Sequence, residues 1–116
     1  MMICVSSEGD NLDSFLADRF EKAKFFLFIE KDCLHFKAVP AGKKDGRLVF
    51  LVTQNRPDIL ITGNINPDNF DFLKASGIKI YSGVFGLTVR EALARFKRGE
   101  LEETGEASGA AKGRLL

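Results

Sequence analysis

Three short stretches of this chain gather hydroxyl, amide and glycine residues of the kind that bind anions through main-chain N–H groups: Ser6 to Asn11, Gly63 to Asn66 and Ser82 to Leu87. Ser6, Ser7 and Asn64 bring polar side chains, while Gly63 and Gly83 would let a ligand approach the backbone. Each stretch follows an apolar run that reads as a strand, and ligands of open α/β sheets collect at such strand ends. Taken singly, these residues are ordinary turn formers. Their convergence on one end of a sheet is what argues for a binding rim. Arg19 adds a guanidinium that could clamp a carboxylate or another anion, or else pair with Asp18 or Asp13. Lys43 and Lys44 could add charge there or stand in solvent.

Metal ligation has a thinner basis. Cys33 and His35 lie two apart, so on a strand their side chains would share a face and could supply two ligands. A metal site needs three or four. Cys4, the other cysteine, reads as a small core residue of the first strand, which leaves Cys33 and His35 chiefly as an exposed strand pair. Catalysis has less still. The first strand carries no carboxylate for two-metal nuclease chemistry, and the single histidine, on an outward face, offers no base to a nucleophile. Tyr81, ending a strand near the rim, could orient a ligand or simply pack with its hydroxyl bonded.

The elements that would position these residues are well marked. Met1 to Val5 is apolar and reads as a central strand. Phe15 to Phe20 has room for one helical turn. Lys24 to Glu30 and Cys33 to Val39 read as antiparallel strands joined at Lys31-Asp32. Arg47 to Asn55 fits strand propensity and helical spacing about equally. A helix there would supply the crossover that returns the chain parallel to the first strand, but the residues alone leave strand and helix open. Ile59 to Ile61 is a short strand with both faces covered. Asn66 and Pro67 then open a helix that Gly77 closes. Ile78 to Tyr81 is the last strand, and Thr88-Val89-Arg90-Glu91 has the form of a capping box before a helix ending at Gly99. The result is an α/β domain over residues 1–103, a five-stranded mixed sheet flanked by helices, with 104–116 read as a disordered tail.

The stretch from Ile59 to Leu101 resembles the dinitrogenase iron-molybdenum cofactor biosynthesis family, the nitrogenase accessory factor-like carrier domains. The resemblance rests on Ile61-Thr62-Gly63-Asn64, on Asn66-Pro67-Asp68-Asn69-Phe70 and on the run from Leu73 to Tyr81. Val89, Glu91, Ala92, Leu93, Phe96 and Gly99-Glu100-Leu101 extend it, and Val5 to Gly9, Leu12 to Ser14 and Asp18 to Phe20 match the family's opening. It implies a ribonuclease H-like topology, with a helix over Arg47 to Asn55. It also implies a non-catalytic carrier or accessory protein that binds an iron–sulfur or iron–molybdenum type cluster during cofactor assembly, with cofactor-assembly proteins as partners.

With 116 residues and a hydrophobic fraction of 45% that includes eleven Phe, the chain can build one core without disulfides. A net charge of +1 gives no general pull toward nucleic acid or anionic membrane. No run approaches the roughly 18 apolar residues of a membrane span. Two cysteines and no export signal give the expectation of a reducing cytoplasm. The alternative to a carrier is a protein-interaction or regulatory module of the same fold, a monomer or weak homodimer whose contact would be the Cys33 to Val39 edge. An enzyme acting on a small anion is a third reading, resting on fold alone.

Overall fold

Strand β1 (Met2–Ser7) is flanked by β2 (Phe25–Glu30) on one side and β4 (Ile59–Ile61) on the other, with β3 (Phe36–Pro40) and β5 (Lys79–Tyr81) outermost. The computed structural model describes residues 1–32, 35–42 and 48–105. β1, β2 and β3 run antiparallel, and β1, β4 and β5 run parallel, so the sheet is mixed. Helices α1 (Leu48–Gln54), α2 (Pro67–Ala75) and α3 (Val89–Lys97) supply the crossovers and the cover.

The two-residue period of β1 divides its side chains between two cores. Cys4 packs on one face with Phe26, Phe28 and Leu60 beneath α1 and α2. Ile3 and Val5 pack on the other with Leu27, Ile29, Ile59 and Ile61 against Val89, Ala92 and Leu93 of α3. Both faces are dry, which is why the central strands are apolar without alternation. Enclosure in the first core pushes the Cys4 thiol well above its usual range, because burial disfavours the thiolate.

The ambiguous segment is a helix, as expected. Leu48, Val49 and Val52 are buried while Phe50 is 52% exposed, the spacing of one helical face and not of a strand. The helix ends are those marked in the sequence. The Asn66 side chain accepts from the Asn69 N–H at 2.9 Å, and Gly77 takes φ +91°. Beyond it, the Gly77 and Ile78 N–H groups return to the Lys74 and Leu73 carbonyls in a Schellman closure. In α3, Thr88 Oγ1 accepts from the Glu91 N–H at 3.1 Å and the Glu91 carboxylate accepts from the Thr88 N–H at 2.8 Å.

Three expectations are displaced. The helical turn expected over Phe15 to Phe20 is a 3-10 turn at Phe20–Lys22, because Phe15 and Leu16 are drawn into bridges with Thr88 and Ser7. The third strand begins at Phe36, after His35, which the sequence reading counted within it, and Phe36 is 40% exposed; Cys33 and Leu34 lie outside the described residues. Thr104 and Gly105, counted with the tail from sequence, are docked. The Thr104 N–H donates to the Ile80 carbonyl at 2.7 Å, its Oγ1 accepts from the Ser82 N–H, and Lys74 Nζ donates to the Gly105 carbonyl. The remainder of that tail, residues 106–116, lies outside the described residues.

Replacing Thr88 by Ala removes half of the capping box and should cost about 1 kcal/mol in urea denaturation, with no change of slope; a change of only a few tenths would show that α3 does not depend on its cap. In a Cys33→Ser background the Cys4 thiol should resist a thiol reagent while the chain is folded and react fully in denaturant. Prompt reaction under native conditions would contradict this packing.

Candidate functional site

The carboxyl ends of β1, β4 and β5 open onto three loops that hold one another through main-chain hydrogen bonds. The Asn64 N–H donates to the Asp18 carbonyl and the Phe20 N–H to the Asn64 carbonyl, both at 2.7 Å, which pins Arg19 alongside Asn64 in a short parallel bridge. Gly83 and Val84 donate to the carbonyls of Gly63 and Thr62 at 2.9 and 3.1 Å. The Ala17 N–H donates to the Ser6 carbonyl, and the Leu16 N–H to that of Leu87. Ser6, Arg19, Gly63, Asn64 and Gly83 are thus brought to one end of the sheet, as the sequence suggested.

Their side chains play unequal parts. Ser6 is fully buried, its Oγ 2.7 Å from Thr62 Oγ1, so it joins two strands beneath the rim. Ser7 is also buried and closes its own turn with the Gly9 main chain. Gly63 is buried because the backbone of residues 17 and 18 passes directly over it. A Cβ there would lie 2.8 Å from the Ala17 carbonyl oxygen and closer still to the Asp18 carbonyl. Asn64 and Gly83 are exposed, and Gly83 adopts φ +78°.

Both helix N-termini that face this end already hold a carboxylate. Glu91 closes α3. At α2 the Glu21 Oε2 accepts from the Asn66 N–H at 3.0 Å and from Asn69 Nδ2 at 2.8 Å, while its buried Oε1 has no partner among the described residues. The macrodipole charge that would draw an external anion is therefore met from within. Near Gly83, a hollow of about 440 Å³ is lined by Ser82, Val84, Glu100, Glu102 and Glu103, an acidic flank unfavourable to anions.

Arg19, with exposed Asp18 and Asn64 beside it, and two phenylalanines remain available to a ligand. The exposed Arg19 side chain has no hydrogen bond or ion pair to any described residue. Its expected partner Asp13 is instead bound to Arg90, Nε to Oδ1 at 3.0 Å, which holds the Asp13 carboxyl below the usual carboxylate range. Phe15 and Phe85, 59% and 49% exposed, project from the first and third loops. Sequence reasoning missed both, although Phe85 stands between Gly83 and Gly86, each with positive φ, in a loop already marked as part of the rim. It missed Glu21 as well, since nothing local shows that its carboxylate reaches a helix 45 residues away.

The other candidates lie elsewhere. His35 is exposed just before β3, where its carbonyl accepts from the Glu30 N–H. Cys33, Lys43 and Lys44 are outside the described residues. No group of three His, Cys, Asp or Glu able to hold a metal is found among the described residues. Tyr81 stacks edge-on against Phe96, ring centroids 5.2 Å apart, in the α3 core.

Gly63→Ala should be the most damaging change at the rim, because main chain and not a movable side chain meets the added methyl. A loss of about 3 kcal/mol or a failure to fold is expected, with Gly83→Ala costing only about 1 kcal/mol for its left-handed backbone. Equal effects in thermal denaturation would contradict the assigned crowding.

Comparison with known proteins places this architecture. The orange protein of Desulfovibrio gigas in its apo form superposes with a TM-score of 0.85 at 28% identity, over 90% of this chain and 93% of that one. A Thermotoga protein provisionally assigned to NifB matches at 30% identity and TM-score 0.77, over 93% and 98%. A Methanocaldococcus jannaschii protein provisionally described as a dinitrogenase shares the fold at 22% identity and TM-score 0.73, over 91% and 96%. No curated protein matches the sequence. The family described as dinitrogenase iron-molybdenum cofactor matches residues 1–99. That match takes in every loop of the rim, and the chain belongs to the dinitrogenase iron-molybdenum cofactor family.

Proposed function

We propose that this protein is a non-catalytic carrier or accessory protein that receives an anionic metallocluster, of iron–sulfur or iron–molybdenum type, as cargo during cofactor assembly. The observation that carries the reading is the Arg19 guanidinium, unpaired among the described residues and fixed by its backbone to the Asn64 loop at the strand ends of a family 1–99 match. Likeness to the orange protein in its apo form supports it. The strand order and the parallel crossovers also support the ribonuclease H-like topology that the family resemblance implies.

The donor set favours a particular manner of holding. Cargo on this rim would be seated without a cage of protein-to-metal bonds, because the described residues offer none. The guanidinium of Arg19 supplies charge and directed N–H donors. Phe15 and Phe85 supply polarisable apolar surface. A cluster whose surface is sulfide fits that combination better than a strongly hydrated oxyanion, which would need the helix N-termini that Glu21 and Glu91 occupy. A non-enzymatic role belongs to the same reading, in keeping with a cofactor-related family. The partners would be the proteins that donate and accept the cluster, in a cytoplasmic setting; no described helix is long and apolar enough to cross a membrane.

Anaerobic reconstitution with iron and sulfide, followed by desalting and metal analysis, tests the proposal. The full chain should retain metal, and so should Cys33→Ala and His35→Ala. Arg19→Gln should lower retention by roughly tenfold to a hundredfold, the worth of a charge-assisted contact. Loss of metal in the Cys33 or His35 variant would move the site to that pair. Full retention in Arg19→Gln would remove Arg19 from it.

A further inference from the structure

β3 is the uncovered edge of the sheet among the described residues, since Thr104 lies against β5 at the opposite side. The direction of its main-chain groups follows from its register with β2. The Glu30 N–H donates to the His35 carbonyl and the Ala41 N–H to the Lys24 carbonyl. Antiparallel pairs alternate, so between these two bonds Lys37 and Val39 turn their polar groups toward β2. Phe36, Ala38 and Pro40 turn theirs outward. Phe36, 40% exposed, and the half-buried Ala38 share one side of the strand.

We propose that this edge pairs with β3 of a second copy of the chain, antiparallel, about a two-fold axis through Ala38. In that register Ala38 exchanges both hydrogen bonds with Ala38 of the second copy. Each Phe36 N–H meets the carbonyl of Pro40 across the axis. Pro40, which has no N–H, falls opposite the Phe36 carbonyl at the strand's end, where water can reach. The Phe36 ring lies over the opposing Pro40 ring, covering an exposed aromatic. Lys37 stands opposite Val39 and not opposite itself. Because β2 occupies the other side of β3, one such contact uses up the free side of both strands, so the pairing closes at two copies.

A contact of one short strand buries less than the roughly 1,000 Å² of a stable interface, so the pair is weak and concentration-dependent. β3 lies across the sheet from β4 and β5, so pairing leaves the Gly63 and Gly83 loops open, whatever they carry.

Sedimentation equilibrium of the full chain from about 10 μM to about 1 mM tests this, with a reversible monomer–dimer midpoint expected at roughly 0.1–1 mM. Ala38→Pro removes an N–H that β2 does not use. It should fold with little change in Tm and remain monomeric throughout. Phe36→Thr keeps the main chain and should weaken the dimer at least about fivefold through loss of the ring contact. A chain monomeric at 1 mM overturns the proposal. So does a folded Ala38→Pro variant that still dimerises, or a Phe36→Thr variant with unchanged association.

Discussion

The strand-end rim of this protein depends on one main-chain approach. The backbone of Ala17 and Asp18 crosses Gly63 so closely that no side chain could be accommodated. The hydrogen bonds made by Asn64 on either side of Arg19 hold the crossing in place. The first loop is thereby fixed to the β4–α2 loop, and Gly83 ties the third loop to the same residue. A long loop whose own regular structure is one 3-10 turn becomes the support for an arginine. Ordering it this way, before any ligand arrives, reduces the entropy that binding would otherwise lose.

Electrostatics inside that frame are settled internally wherever a ligand might have been expected to help. Glu21 and Glu91 satisfy the N-termini of α2 and α3, and Arg90 takes Asp13. What is left outward includes Arg19 with Asp18 and Asn64 beside it and two exposed phenylalanines, and on the proposed function it is this leftover chemistry that selects cargo. The same economy applies at the sheet edges. β5 is covered by Thr104, while β3 is guarded by Lys37 and Pro40, which limit edge pairing without abolishing it.

Much of the frame was legible in the sequence because its signals are local. Asn66-Pro67, Gly77 and the Thr88–Glu91 box each act within one helical turn, and each marks the end that it closes. The Leu48–Gln54 helix was not settled by its own residues; the need for a crossover and the family resemblance together pointed to it. The errors lie where distant partners decide. Phe15 and Leu16 are extended because Thr88 and Ser7 bridge them, and Thr104 is ordered by Ile80 and Ser82. The rim was located from its glycines and hydroxyls, but their jobs were not. Ser6 and Ser7 are internal ties, and the part of Gly63 is to admit another backbone. That distinction requires knowing which way a side chain points and what crosses above it.

The central claim is that cargo sits on the strand-end rim beside Arg19. The most direct measurement is an anaerobic map of backbone amide resonances before and after cluster loading of isotope-labelled protein. Cargo on the rim predicts perturbation or paramagnetic broadening centred on Arg19, Asn64, Gly83, Phe85 and Phe15, with the β3 amides unaffected. A map centred instead on His35 and its neighbours, or one with no localised change in protein that has demonstrably taken up metal, would contradict it.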